Sequence, residues 1–264
     1  MISDLKQLAD YRELLRTLVS KDIRSRYKGS VLGFAWNFVI PLLQLFVFWL
    51  LFGIIVKVAP PGDYPFAIFL FTGLLPWNFF ANSVLGGAMS IVGNANLVKK
   101  IYFPLQILPT AKVIAEFISL LLGMIVLAVV VVGFGIGLGW QLLLLPAPFA
   151  VELVFILGFV YFFACANVFY RDIQHIMGIV VMAWMYVTPV LYPINILDGK
   201  PAWAQLAAHL NPLTGVINAY QRIVLDHAQP DWPWLGYSAA AAVVMFIVGF
   251  AVFNRYKFRF EEEV

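Results

Sequence analysis

Charged residues are scarce in this chain of 264 residues, because Asp, Glu, Lys and Arg together make up 12% of it. Soluble domains carry about a quarter. The hydrophobic share is 62% and the mean hydropathy is +0.89, which excludes a water-soluble globular protein. A membrane-spanning helix needs about 20 apolar residues. The sequence therefore predicts an all-α integral membrane protein with one transmembrane domain over residues 1–264 and no second folded domain.

Cysteine and histidine are almost absent as well. The only cysteine, Cys165, lies in an apolar run, which excludes a disulfide framework and a cysteine-based metal site. The histidines His175, His209 and His227 are too scattered in sequence to give local ligand spacing. The sequence also lacks a GxxxxGK[ST] phosphate loop, an HExxH helix and a GxSxG elbow. We therefore expect no metal, no cofactor, no catalytic residue and no nucleic-acid partner on this chain.

What the sequence has instead is long apolar runs. They predict six spans, at residues 33–56, 65–92, 105–133, 142–170, 176–192 and 234–253. Residues 1–32 carry seven basic and four acidic side chains, unlike a secretory signal, so we expect a cytoplasmic interface segment before an uncleaved first span. Residues 33–192 then hold spans one to five, residues 193–233 the one long connection, and residues 234–264 span six and the tail.

The basic residues are unevenly distributed between alternate connections. With six spans, fourteen Lys and Arg residues fall on one side of the membrane and three on the other. Cytoplasmic loops carry the excess of Lys and Arg. This distribution predicts that both termini are cytoplasmic. It also supports six spans, because removing any one span would mix basic and non-basic connections on the same side of the membrane.

The N-terminal segment has the pattern of an amphipathic helix. Apolar side chains repeat every three or four positions within residues 5–23, at Leu8, Tyr11, Leu15 and Leu18. Such a helix is typical of the membrane interface plane. Basic residues at Arg24, Arg26 and Lys28 follow, where anionic head groups would be met. A plain basic anchor beside the first span is the alternative.

The long connection predicts two short helices. Asn211 can cap a helix and Pro212 suits its first position, after which Leu213, Val216, Ile217, Tyr220 and Val224 recur at helical spacing. Residues 201–210 are a second candidate. Both are about half a membrane thickness long. We expect a re-entrant hairpin dipping into the bilayer from outside, and two helices lying flat on the surface are the alternative.

Few ionisable residues fall within the predicted spans. Lys112 and Glu116 stand four residues apart and can pair, whereas Glu152 has no partner visible in the sequence. An ion-coupled carrier would place carboxylates near mid-membrane, and this scarcity favours a structural or gating role instead. A membrane-embedded glycan-modifying enzyme would need catalytic side chains at the interface, where Asp172 and His175 are the only nearby pair.

Aromatic residues are abundant, with 24 Phe, 11 Tyr and 8 Trp. Phe is at home in lipid, so packing is the default interpretation for each ring. Aromatic faces also stack against sugar rings without requiring a fixed register. We therefore hold five deep aromatics as possible pore residues: Phe46, Trp49, Phe159, Tyr161 and Phe162.

Four motifs in the same order resemble one family. The first is Arg24-Ser-Arg26-Tyr27-Lys28-Gly-Ser-Val-Leu-Gly-Phe-Ala-Trp36, the second Tyr170-Arg171-Asp172-Ile-Gln-His175, the third Thr188-Pro189-Val-Leu-Tyr192-Pro193, and the fourth Asn211-Pro212-Leu213-Thr214 with Arg222 following. Together they are similar to the type-two ABC exporter permeases that export O-antigen, capsule and teichoic acid. The similarity covers nearly the whole chain.

The resemblance implies a homodimer around a central pathway, with two copies of a separate ATPase subunit that binds ATP and Mg. It implies an undecaprenyl-linked polysaccharide as substrate, most readily O-antigen, and the bacterial inner membrane as location. The outer gate would include Asn211, Pro212, Thr214 and Arg222, and the interface motif Arg24, Arg26, Tyr27 and Lys28. A drug or small-lipid exporter permease of the same superfamily is the main alternative.

The loop at residues 94–103 is the expected docking element for the ATPase. A transporter without a nucleotide site must borrow energy or use a gradient, and the scarcity of mid-membrane carboxylates argues against a gradient. A soluble motor needs an inside-facing connection with an apolar face and a basic flank. The candidate docking residues are Leu97, Val98, Lys99, Lys100, Ile101 and Tyr102. An ordinary basic turn is the alternative that the residues alone leave open.

Overall fold

The computed structural model describes residues 10–26 and 28–264, apart from the side chains of Phe34 and Glu261. Tyr27 of the interface motif and Leu8 of the amphipathic pattern lie outside the described residues. All regular structure in the described residues is helical. The α-helices are α1 (Arg12–Arg26), α2 (Trp36–Phe48), α3 (Phe66–Ala88), α4 (Ala95–Lys100), α5 (Ile107–Gly133), α6 (Pro146–Phe169), α7 (Ile173–Val187), α8 (Ala202–Leu210), α9 (Pro212–Val224), α10 (Trp232–Tyr256) and α11 (Phe260–Glu263).

Within residues 10–26 and 28–264, five helical segments are long and apolar enough to cross a membrane: Trp36–Ile55, Phe66–Ala88, Ile107–Gly133, Trp140–Phe169 and Trp232–Arg259. They match five of the six predicted runs. The remaining run, the fifth along the chain, overlaps α7, which has 15 residues and a length of about 22 Å, less than the roughly 30 Å hydrocarbon core. It ends there because Pro189 disfavours a helical conformation at Thr188, whose backbone is extended.

Helix α3 forms the centre of the bundle. It is buried along most of its length and packs against α5 and α6. Helices α6 and α10 approach each other most closely, because Gly158 and Gly249 face one another. A Cβ atom on Gly249 would overlap the carbonyl of Gly158. Small residues allow this kind of backbone approach between apolar helices.

Helix α2 lies at the periphery. It continues directly into a π-helix, Trp49–Ile55, which we count with α2 from here on, and the buried residues of Trp36–Ile55 are Asn37 and Leu45 alone. Leu42, Phe46 and Ile55 are all exposed. The first span therefore presents an apolar face that none of the other described residues covers.

One end of the bundle, which we call the basic end, gathers α1, α4 and the C-terminal residues 257–263. Phe260 packs there against Val98 and Phe253, in a cluster that also receives Leu14, Leu15 and Leu18 of α1. The amphipathic helix predicted over residues 5–23 is present as α1 over Arg12–Arg26. Its apolar face packs on this cluster and on Ala111 and Ala115 of α5.

The two short helices predicted in the long connection are present as α8 and α9. Asn211 caps α9 by accepting a hydrogen bond from the backbone N–H of Leu213 at 3.1 Å, and Pro212 occupies the first turn, as predicted. Helix α9 is buried on nearly all sides, against α10, α3 and α6. It therefore does not lie flat on the surface of the protein.

Candidate functional site

A network of four charged side chains fastens α1 to α5 at the basic end. The two terminal nitrogens of the Arg26 guanidinium donate to the carboxylate of Glu116, at 2.7 and 3.1 Å. One of them, Nη2, also donates to the carboxylate of Asp22 at 2.7 Å. Lys112 lies 3.2 Å from Asp22 and 3.3 Å from Glu116. The pairing of Lys112 with Glu116 is confirmed. Arg26, however, turns toward α5, away from the head-group-facing cluster that we expected it to form with Arg24 and Lys28.

The electrostatic environment keeps Arg26 charged. Its burial lowers the pKa of the guanidinium, but the carboxylates of Glu116 and Asp22 outweigh that effect and leave the pKa above its ordinary value. Glu116 is only 5% exposed and would be costly to leave unpaired. Arg26 therefore acts in this structure as a fastening between the N-terminal helix and α5. Arg24 and Lys28 remain exposed.

The loop at residues 94–103, which we expect to dock the ATPase, contains both buried and exposed side chains. Val98 is 2% exposed and packs in the hydrophobic cluster of the basic end, so it is not available to a partner and was wrongly included in the docking face. Leu97 packs partly against the same cluster. Ile101 is exposed and Tyr102 is 93% exposed. Lys99 and Lys100 flank them and are also exposed.

Asn211, a candidate gate residue, connects α7 to α9. Its side-chain oxygen accepts hydrogen bonds from the Leu213 backbone and from the indole N–H of Trp184, both at 3.1 Å. Its amide nitrogen donates to Thr188 at 2.8 Å. The position that interrupts the fifth predicted run, Thr188, is thus held against the start of α9.

The other gate candidates have different surroundings. Thr214 is fully buried and its hydroxyl has no hydrogen-bond partner among the described residues. Arg222 donates from Nε to the carbonyl of Gln229 at 2.9 Å. It lines an open cavity of about 230 Å³ with Tyr64 and Asp226, whose side chains are hydrogen-bonded at 3.0 Å. Burial, together with Asp226, raises the pKa of Tyr64.

The carboxylate of Glu152 has a partner that the sequence did not show. The hydroxyl of Tyr220 donates to it at 2.7 Å, and both side chains are buried. The bond joins α6 to α9. It is a contact inside the subunit, which fits the structural role expected for Glu152 better than a role in relaying protons.

The five aromatic residues that we held as possible pore residues differ in how far their side chains are exposed. Phe46 and Trp49 are exposed on α2 and line an apolar cavity of about 200 Å³. Phe159 contacts an internal cluster that includes Trp184, and Phe162 is half-buried. Tyr161 is 2% exposed and its hydroxyl is hydrogen-bonded to Thr110 at 2.7 Å. A ring so enclosed cannot line a surface of this subunit, so its position does not fit the expectation.

The described residues offer no cluster of three or more His, Cys, Asp or Glu side chains arranged to hold a metal ion. Asp172 and His175 make no ion pair with each other, and His175 contacts Gln174 instead.

The sequence analysis did not identify three residues as partners in these contacts. Asp22 stands four residues before Arg26, and this spacing on one helix could have identified it. Trp184 and Tyr220 carry no comparable signal, because their partners lie 27 and 68 residues away in the chain.

Comparison with known proteins places this arrangement in a family. The chain matches the family model described as ABC-2 type transporter over residues 13–225. It is 36% identical to the O-antigen export system permease protein RfbA of Myxococcus xanthus, over the full length of both chains.

Two further relatives are more distant. The O-antigen export system permease protein RfbA of Klebsiella pneumoniae is 29% identical, over 95% of this chain and 94% of the relative. The polysialic acid transport protein KpsM of Escherichia coli is 21% identical, over 91% and 92%. With the family model covering most of its length and a full-length relative at this identity, the chain belongs to the ABC-2 type transporter family.

Proposed function

We propose that this chain is the membrane-spanning subunit of an ATP-driven exporter that moves a lipid-linked polysaccharide, O-antigen, across the bacterial inner membrane. The observation that carries the proposal is the 36% identity to an O-antigen export permease over the full length of both chains. The 21% identity to a polysialic acid transport protein supports the wider class of polysaccharide cargo.

The energy source in this proposal is a separate ATPase subunit that binds ATP and Mg. Membership of the ABC-2 type transporter family supports it. The sequence has no phosphate loop of its own. The exposed side chains of Ile101 and Tyr102, flanked by Lys99 and Lys100, are the surface that we assign to the docked ATPase.

The proposed topology has six spans with both termini in the cytoplasm. The segment after α7, Thr188–Tyr192, would complete the fifth span, since Val190 is buried and Asn211 holds Thr188 inside the protein. Helices α8 and α9 would form a re-entrant outer gate. The uneven distribution of Lys and Arg supports this orientation.

Two copies of the chain would enclose the pathway. The uncovered apolar face of α2, with Phe46 and Trp49, supports a role for that helix in pairing or in contact with cargo. Rings at these positions would stack on successive sugars of a moving polymer without selecting one register. We assign the pathway aromatics to Phe46 and Trp49, with Phe159 and Phe162 nearer the subunit interior.

Deleting the gene in its own host tests this function. The surface should lose its long-chain polysaccharide, and lipid-linked polymer should accumulate on the inner face of the membrane, where a lectin or antibody detects it only after the cells are opened. Expression of the wild-type chain should reverse both effects. Unchanged surface polysaccharide together with new sensitivity to drugs would contradict the proposal and favour a drug exporter.

A further inference from the structure

The basic end contains a cavity of about 300 Å³ that none of the proposed transport roles uses. It lies between α1, the end of α3 and the start of α5. Its polar and charged lining residues are Lys21, Asp22, Ser25, Ser90, Asn94 and Lys112. The cavity therefore lies where the interface helix meets the spans, at the level of lipid head groups if α1 lies in the interface plane.

The charged side chains around the cavity have a net charge of one positive unit. The two cations Arg26 and Lys112 are balanced by the two carboxylates of Asp22 and Glu116 in the network described above. Lys21, in contrast, makes no ion pair with any residue that the structure describes. Its ammonium group is free to bind an anion of single charge.

A buried hydroxyl supports the presence of a polar ligand. Ser90 is 7% exposed, and its Oγ has no hydrogen-bond partner in the described part of the chain. Buried polar groups in proteins are nearly always hydrogen-bonded, and a rotation of the Ser90 side chain toward the cavity that it lines would let its hydroxyl donate to a ligand there. The lining also includes Leu18, Leu108 and Ala111, which suit apolar atoms.

We propose that this cavity binds the phosphodiester head group of an anionic phospholipid that resides beside the subunit. The phosphodiester supplies the single negative charge for Lys21 and acceptor oxygens for the hydroxyl of Ser90, and the glycerol and first methylene groups contact the apolar wall. The lipid would stabilise the contact of α1 with α3 and α5. This site goes beyond the proposed export function and does not depend on the cargo.

Gly86 provides a way to alter the cavity without removing a charge. The side chain of Lys112 passes directly over it, so that a Cβ atom at this position would overlap Lys112 Cε. The Gly86→Ala variant should therefore push the flexible end of Lys112 into the cavity, where its bulk takes the space of the head group, and should weaken the binding of phosphatidylglycerol. Gly93 is the matched control, because a Cβ atom there meets no atom within 4 Å.

The experiment is a lipid titration of the full chain, purified in detergent with its associated subunits, stripped of lipid and followed by native mass spectrometry. Phosphatidylglycerol should bind at one high-affinity site per chain, and neutral phosphatidylcholine more weakly. The Lys21→Gln variant should bind phosphatidylglycerol about fivefold more weakly, since one basic residue near a membrane surface contributes about that factor. The Arg16→Gln variant removes a charge of the same helix outside the cavity and should bind normally.

Three results would overturn the proposal. The first is that Lys21→Gln and Gly86→Ala bind phosphatidylglycerol as well as Arg16→Gln and Gly93→Ala do. The second is displacement of the lipid by inorganic phosphate at an equal concentration, which would assign the cavity to a small anion. The third is tighter binding of a polyprenyl diphosphate at the same site, which would assign it to a cargo carrier. None of these readouts requires export, so the proposed function is tested separately.

Discussion

Arg26 of α1 binds both carboxylate oxygens of Glu116 on α5, at 2.7 and 3.1 Å, across 90 residues of sequence. Bidentate pairs of this kind are the strong form of the ion pair and fix orientation as well as distance. Glu116 lies within one of the five helices that are long and apolar enough to cross a membrane. The N-terminal helix is therefore attached to a spanning-type helix at a defined position, and a displacement of one will be transmitted to the other.

Replacing Arg26 by Gln should loosen α1 from α5. The change removes the bidentate pair but leaves Lys112 beside Glu116, so we expect a cost of about 2 kcal/mol, the range of hydrogen bonds to charged groups. Tryptic cleavage after Lys21, measured on the detergent-purified chain, should become about 30-fold faster if it follows opening of this contact.

Arg24→Gln is the control for that change. Arg24 is exposed and makes no ion pair with a described residue, so its loss should leave cleavage after Lys21 unchanged. Equal cleavage rates in the two variants would show that the Arg26–Glu116 pair does not hold the helix.

Replacing Asn211 by Ala should release the start of α9 from the end of α7. The variant loses the cap of α9 and the hydrogen bonds to Trp184 and Thr188, for an expected cost of about 2 kcal/mol. Hydrogen exchange of the first turn of α9 should accelerate, read by mass spectrometry. Asn218→Ala, on the same helix, removes an amide that makes no side-chain hydrogen bond with a described residue, and it should not accelerate this exchange. If both variants exchange alike, Asn211 does not secure the contact.

The docking assignment predicts different outcomes at neighbouring positions. Tyr102→Asp should weaken binding of the ATPase subunit about 30-fold, as loss of an interface hot spot does, while the chain stays folded. Val98→Asp should instead unfold the cluster at the basic end, because a carboxylate would enter a buried site. Co-purification and size-exclusion profiles separate the two effects.

Trp203→Asp is the control for the docking prediction, because Trp203 is an exposed aromatic on α8, in the long connection that we assign to the outer side. Retention of the ATPase by Tyr102→Asp, at the level of Trp203→Asp, would remove Tyr102 from the docking surface.

The pathway assignment predicts slower export when exposed rings are removed from α2. Phe46→Ala and Trp49→Ala should each lower the rate about fivefold, if each ring contributes about 1 kcal/mol of stacking with the cargo. The rate is measured by the appearance of surface polysaccharide after a pulse of labelled sugar. Phe258→Ala, at an exposed ring of the basic end, should export normally. Rates equal to that of Phe258→Ala would exclude contact between these rings and the polymer.

The sequence predicted those features that depend on neighbours along the chain. The apolar runs gave five of the spans within a few residues, because hydropathy acts locally. The pairing of Lys112 with Glu116 and the capping of α9 by Asn211 were predicted for the same reason, since each follows from one or two turns of helix.

Contacts between distant segments could not be predicted in this way. The burial of Val98 depends on Phe260, more than 160 residues later, and on the fold that brings the C-terminal residues to the basic end. The partner of Glu152 is Tyr220 on another helix. The enclosure of Tyr161 depends on Phe246, Phe250 and Phe253 of α10, and hydropathy does not distinguish a ring in lipid from a ring inside the subunit.

In the proposed function, this chain forms the path for the cargo and a separate ATPase supplies the energy. The test is reconstitution into vesicles with lipid-linked polysaccharide, with and without the proposed ATPase subunit, followed by detection of polymer on the far side. Polymer should reach the far side only when the ATPase, ATP and Mg are all present. Vigorous movement by the chain alone would contradict it.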